Sequence, residues 1–168
     1  LRQEVLAVDF TFPLLLYLHI LTAIVGLGVT FAFPFLQSFA EKNGVVATRF
    51  AHRAIRRITL FAVYPGAALV FLWGLGLIFE DETGYKDDFP AWLMIAITLF
   101  LAIVVLDVLY TRRQVQAAIQ SLEGVPDGTA LPATYLAIGK RIQAVGGLEG
   151  LGVVVIAFLM VWGRERGF

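Results

Sequence analysis

Four apolar stretches, at residues 10–37, 58–79, 92–110 and 142–162, constrain this 168-residue chain more than anything else in it. Each is close to the roughly 20 residues that a helix needs to cross the hydrocarbon of a bilayer. Lipid offers the backbone no hydrogen-bond partner, so stretches of this length must satisfy their own amides, as helices do. The expected fold is all-α: an integral membrane antiparallel four-helix bundle, one transmembrane domain over 1–168, with short connections that set sequential helices side by side. Charged residues make up 15% of the chain, against about 25% in a soluble domain. The 13 basic and 13 acidic residues balance, which removes the basic excess that nucleic-acid binding needs. With no cysteine, disulfides, iron–sulfur clusters, thiolate metal sites and cysteine nucleophiles are excluded. No phosphate loop, dinucleotide fingerprint, zinc-protease or nucleophile-elbow pattern occurs.

Placing the charges predicts orientation. Residues 38–57 carry Lys42, Arg49, Arg53, Arg56 and Arg57 against Glu41, and residues 111–141 carry Arg112, Arg113, Lys140 and Arg141 against Glu123 and Asp127. Residues 80–91 reverse the balance, with Glu80, Asp81, Glu82, Asp87 and Asp88 against Lys86. The positive-inside rule then puts both long loops in the cytoplasm and both termini outside a bacterial inner membrane, an asymmetry that Arg164 and Arg166 weaken. The first apolar run is too long for a signal-peptide core and lacks a basic flank, so it reads as a span. The chain opens on Leu1, and its numbering is expected to start inside a longer product. Trp92 and Trp162 are expected at the outer interface. Residues 45–57 and 114–122 should extend the second and third helices, the former as a basic amphipathic face lying against anionic lipid.

Ionisable groups inside hydrocarbon cost about 2.5–3.5 kcal/mol each on insertion scales, so those that occur there need a reason. His19, Asp107 and Glu149 qualify. His19 lies about 12 Å deep at 1.5 Å per residue, and at 100° per residue it shares a face with Thr22, Gly26, Thr30 and Gln37. An imidazole there is a heme or metal ligand, a proton carrier, or a neutral group hydrogen-bonded across the bundle. Asp107, about 6 Å deep, is a proton site or the partner of Arg112, Arg113 or Arg57. Glu149, about 10 Å deep, is a proton relay, a ligand contact or a neutral interhelical hydrogen-bond donor. Gly146 and Gly150 beside it form a small-xxx-small pair, which should let another helix approach closely. No compact metal site is expected; His19, Thr22, Asp107 and Glu149 are better placed to form a polar seam. His52, among arginines before the second span, is expected to be solvated at the interface. Tyr64-Pro65-Gly66 should kink the second helix and shape a pocket, and Gly74-Leu75-Gly76 should serve helix packing.

Several motifs carry a resemblance. Leu18-His19-Ile20 with Pro34 fifteen residues after the histidine, the basic entry from Arg53 to Gly66, Pro90-Ala91-Trp92-Leu93 and Leu148-Glu149-Gly150 resemble a group of small four-span bacterial "predicted integral membrane proteins". These motifs are distantly similar to the HemJ-type protoporphyrinogen oxidases and the copper-resistance CopD domain. The resemblance covers most of the chain and implies a heme b held by histidines of the first and third helices. Carried over, His19 is the first axial ligand, whereas Asp107 stands at the third-helix position. Met94, Ile95 and Ala96 replace an expected lysine, and Phe35 replaces an expected arginine.

Three readings follow. The favoured one is a non-enzymatic module that binds a small ligand or passes protons or solute along the seam, with the carboxylates as proton sites. The second is a heme-dependent membrane oxidoreductase, with His19 as axial ligand. The third is a structural or accessory subunit, in which buried polar groups set helix register within a homo-oligomer or beside a membrane partner.

Overall fold

The computed structural model describes residues 11–166, with side chains through Gly163. Phe10 and the side chains of Arg164 and Arg166, used above to place the first span and to weigh orientation, lie outside what is described. Four long helices make up the described residues: α1 (Thr11–Lys42), α2 (Val45–Phe79), α3 (Ala91–Ser121) and α4 (Ala133–Arg166). No strand occurs among the described residues. All four are long and apolar enough to cross a membrane, and together they form the expected all-α bundle.

The helices are longer than the apolar stretches that prompted them. At about 1.5 Å per residue, the 32 residues of α1 reach about 48 Å, well beyond a hydrocarbon layer of about 30 Å. The excess lies at one end, next to the basic loops, where the polar ends of all four helices assemble a cap. Its core is Val45, Ala118, Leu122 and Tyr135, each fully enclosed, with Val125, Leu131, Ile138 and Ile142 packed around them. Arg49 Nη1 donates to the carbonyl of Leu122 at 3.1 Å and ties α2 to the end of α3. Residues 45–57 do extend α2, but their apolar face does not lie on lipid. Val45, Thr48, Ala51, His52 and Ile55 are buried, and the face left open holds Phe50, Arg53 and Arg57. Lys42 passes to Val45 through Asn43 and Gly44, whose φ of +93° is a conformation that only glycine adopts cheaply.

Inside the apolar layer the helices pair as two hairpins, α1 with α2 and α3 with α4. The α1/α2 seam closes at one point. A Cβ built on Gly26 would lie 2.7 Å from the Cα of Gly66, and one built on Gly66 would lie 2.6 Å from the Cα of Gly26. Nearer the acidic end, Gly74 receives the ring of His19 and Gly76 receives Leu15, so Gly74-Leu75-Gly76 packs helices as expected. In the other hairpin Gly152 fits Ile103, and Gly163 fits Trp92. Trp92 is therefore buried, its ring edge-on to Tyr85 at 5.7 Å. Gly163 leaves a socket for the indole inside the hairpin, at the end of α3 next to the acidic loop. Trp162 remains exposed, stacked on Phe158. Gly146 and Gly150 do not bring a helix close. Nothing lies within 4 Å of a Cβ on Gly146, and a Cβ on Gly150 meets only a Phe31 ring carbon at 3.8 Å, because both glycines face a cavity.

Three helices contain a turn wound as π: Ala23–Leu27, Thr59–Val63 and Asp107–Thr111. Each such turn holds an extra residue and rotates everything beyond it about the helix axis. In α2 the π turn precedes Pro65, which has no N–H to offer the carbonyl one turn back.

The Gly26–Gly66 contact sets an expectation for stability. Gly26→Ala or Gly66→Ala must push two backbones apart and is expected to cost about 1–3 kcal/mol. Gly146→Ala meets open space and should be neutral or mildly stabilising, because alanine is the better helix former by about 1 kcal/mol. Thermal unfolding of the three variants in detergent measures the difference.

Candidate functional site

Between the two hairpins, below the cap, the four helices surround a cavity of about 440 Å³. Its wall is mostly apolar: Leu27, Phe31 and Pro34 from α1, Leu60, Val63 and Ala67 from α2, Phe100, Ile103 and Val104 from α3, and Leu151 and Val154 from α4. Its polar groups converge where apolar layer and cap meet, and they include Tyr64, Asp107, Thr111, Arg112 and Glu149, with Gln37, His52 and Arg56 nearer the cap. All three π turns contribute to the wall, through Leu27, through Thr59, Leu60 and Val63, and through Asp107 and Thr111.

Glu149 Oε1 accepts a hydrogen bond from Thr111 Oγ1 at 2.7 Å, joining α4 to the π turn of α3. Asp107 lies within electrostatic reach of Tyr64 and Arg112. The phenol of Tyr64 faces the Asp107 carboxyl as its nearest hydrogen-bonding group, but the two do not close to hydrogen-bond distance. Asp107 Oδ2, Tyr64 Oη and His52 Nδ1 are all buried without a close hydrogen bond. The ion pair among the described residues is the exposed Arg53–Glu123 contact at 3.8 Å, so Asp107 is not held by Arg57, Arg112 or Arg113. Two carboxylates and the exposed guanidiniums of Arg56 and Arg112 leave the wall with no net formal charge.

The structure brings Asp107 and Glu149 to this wall and leaves His19 and Thr22 off it. Thr22 Oγ1 bonds back to the carbonyls of Leu18 and His19 at 2.7 and 3.1 Å. His19 Nδ1 lies 2.9 Å from the carbonyl oxygen of Val70 and ties α1 to α2. The face expected to hold residues 19, 22, 26, 30 and 37 is split by the π turn at Ala23–Leu27 and the 3-10 turn at Val29–Ala32. Thr30, within the second of those turns, and Gln37, beyond it, reach the cavity; before them His19 faces α2.

His52 is the largest departure from expectation. It is fully enclosed rather than solvated, because the cap covers the face of α2 that it shares with Val45, Thr48 and Ile55. Its Nε2 lies 2.9 Å from Tyr135 Oη, which in turn donates to Glu41 Oε1 at 2.8 Å. The 45, 48, 52, 55 spacing was the available signal, since it marks a helix face that seeks a partner. Tyr135 and Glu41 left no comparable mark.

A heme held by two histidines does not fit. Val70, which binds His19, is 18 residues from His52 along α2, about 27 Å at 1.5 Å per residue. No group of three or more His, Asp or Glu among the described residues could hold a metal ion. His19 by itself keeps a lone-pair nitrogen: the Val70 carbonyl oxygen only accepts, so Nδ1 carries the hydrogen and Nε2 the lone pair, the form a metal-bound histidine takes.

Fold and site together define a polytopic helical membrane protein with an internal, polar-edged cavity. Within that class, the chain belongs to the family described as "Predicted integral membrane protein (DUF2269)", whose model matches residues 13–163. No curated protein and no solved structure matches it, so the likeness to HemJ-type oxidases and CopD domains rests on the sequence motifs alone.

The Thr111–Glu149 contact can be tested directly. Thr111→Val keeps the shape and removes the donor, and is expected to destabilise by about 1–2 kcal/mol. Adding Glu149→Leu should recover much of that loss, since removing both partners leaves no orphaned buried group. Unfolding of the single and double variants in detergent measures the coupling.

Proposed function

We propose that this protein is a non-enzymatic binding module of the bilayer, whose cavity takes a small amphiphile carrying hydrogen-bond donors. The observation that carries the reading is a buried pair on one apolar wall, Asp107 and Tyr64, which face each other yet leave Asp107 Oδ2 and Tyr64 Oη without a close hydrogen bond. His52 Nδ1, about 18 Å nearer the cap at 1.5 Å per residue, is unpaired as well. Buried polar groups are ordinarily satisfied, and leaving one unpaired costs about 1–3 kcal/mol. A carboxylate oxygen and a bare imidazole nitrogen accept, and a phenol does both. The complementary ligand therefore presents N–H or O–H groups at its polar end and an apolar body to Phe31, Phe100 and Val154. Such a compound arrives through the lipid. In the orientation we propose, the basic cap faces the cytoplasm of a bacterial inner membrane by the positive-inside rule. Phe50, Arg53 and Arg57 then meet anionic headgroups on that side.

Dodecylamine, dodecanol and dodecanoate, offered to the purified protein and counted by native mass spectrometry, test the chemistry. The amine and the alcohol should be retained in preference to the acid, and Asp107→Asn should weaken the amine by about tenfold or more, the scale of a hydrogen bond to a charged group. Equal retention of all three, or none, overturns the reading.

One observation favours a second reading, the heme oxidoreductase: the His19 tautomer set by Val70, which leaves Nε2 as a lone-pair donor. Heme b bound there would supply redox chemistry, and His19 would orient and hold it. Protein titrated with hemin should then develop a Soret band that His19→Ala abolishes; a spectrum that is merely the sum of its components ends that reading.

A further inference from the structure

The cap encloses a line of titratable groups that amphiphile binding does not require. Glu41, near the end of α1, is half-buried, and its Oε1 accepts from Gln37 Nε2 at 2.8 Å and from Tyr135 Oη at 2.8 Å. Tyr135 and His52 are both fully enclosed. Tyr135 has a single proton and gives it to Glu41, so its oxygen must accept from His52, and Nε2 carries the imidazole hydrogen. Nδ1 is then a bare acceptor, buried and unpartnered. His52 belongs both to this line and to the cavity wall, whereas Tyr135 and Glu41 stand outside the wall.

We infer that His52, Tyr135 and Glu41 form a proton path between the cavity and the water at the capped end of the bundle. As arranged, the two hydrogens, on His52 Nε2 and Tyr135 Oη, are set for outward passage. A proton from a cavity acid, Asp107, Glu149 or a bound ligand, reaches Nδ1 through cavity water and forms an N–H bond there. The Nε2–H bond breaks as its proton moves to Tyr135 Oη. The original Tyr135 O–H bond breaks as its proton moves to Glu41 Oε1. No electron changes hands, and the half-buried Glu41 carboxyl releases the proton to water. His52 is left with hydrogen on Nδ1 and Tyr135 now donates to Nε2, the arrangement that serves inward passage by the same bonds in reverse order. The charged and titratable groups nearest His52 are Glu41 from α1, Tyr135 from α4, and Arg49 and Arg56, one turn back and one turn along its own helix; Arg112 of α3 shares the cavity wall with it. Glu41 is the carboxylate of the set that stabilises a transient imidazolium. The path rests on the binding-site reading only where a ligand is the proton's source.

Hydrogen–deuterium exchange of the cavity carboxyls, followed by infrared spectroscopy on ligand-free protein in nanodiscs at acidic pD, tests the path. The band that Asp107→Asn or Glu149→Gln removes reports those carboxyls. Glu41→Gln retains an oxygen for Tyr135 to bond but accepts no proton, and should slow exchange about a hundredfold, the low end of what a positioned proton-transfer group contributes. Tyr135→Phe should slow it likewise, and Glu123→Gln, an exposed carboxylate of the cap, should leave it unchanged. Should Tyr135→Phe fail to fold, Glu41→Gln decides the matter, since it preserves the hydrogen bond. Wild-type rates in Glu41→Gln overturn the path, as does a wild-type spectrum in which neither cavity substitution removes a band. Because no amphiphile is present, failure here is distinct from failure of the binding-site reading.

Discussion

A hydrocarbon layer about 30 Å thick takes up roughly 20 residues of helix, and each helix of this chain has at least 31 residues. The surplus must go somewhere, and it goes to one end. There the helices leave lipid for water and can be held by the hydrophobic effect, which does not act between helices within lipid. Val45, Ala118, Leu122 and Tyr135 supply that core. Inside the layer the bundle relies on shape, which is closest within each hairpin, at Gly26–Gly66, His19–Gly74, Ile103–Gly152 and Trp92–Gly163, while Phe71 stacks on Phe100 between the hairpins. A bundle fastened at the cap and along two separate seams leaves room between the hairpins, and the cavity occupies that room.

The π turns fit the same logic. A helix that packs well in lipid on one face must present a second face to the cap, and an unbroken α-helix does not bring both to the right side. An added residue in the turn corrects the angle. Those corrections fall at the level of the cavity, and the irregular winding delivers Asp107, Thr111 and the residues before Tyr64 to its wall. Irregular backbone at membrane depth is tolerated where it lines a cavity rather than lipid, and these turns obey that rule.

Much of this was legible in the chain itself. The four spans, the antiparallel order and the helical continuation before residue 58 and past residue 110 follow from apolar length and charge placement. Asp107 and Glu149 were found because burying a carboxylate in lipid is costly enough to need a reason. Three features were read differently because each depends on a neighbour. His52 was weighed against membrane and water alone, although a third environment, the cap, existed. Gly146 and Gly150 matched a packing pattern, but a pattern on one helix does not say whether a second helix arrives. His19 and Thr22 were aligned with Thr30 and Gln37 at a constant 100° per residue, and one π turn and one 3-10 turn undo that sum.

The composition of the cap bears on why its buried polar line exists. Val45, Ala118 and Leu122 pack with the ring of Tyr135, which a phenylalanine would equally supply, so packing alone does not call for a tyrosine hydroxyl, an imidazole and a carboxylate in series. Replacing a buried hydrogen-bonded set by apolar residues of like volume is often neutral or stabilising, and this set also leaves His52 Nδ1 unpaired at a cost of about 1–3 kcal/mol. Stability is therefore a poor account of Glu41, Tyr135 and His52. Their order is a better guide: a half-exposed acid at the water side, a phenol between, and an imidazole on the wall of a cavity that holds two more carboxylates. Each can hand on one proton and take another, and the arrangement is continuous from the cavity wall to the surface of the cap.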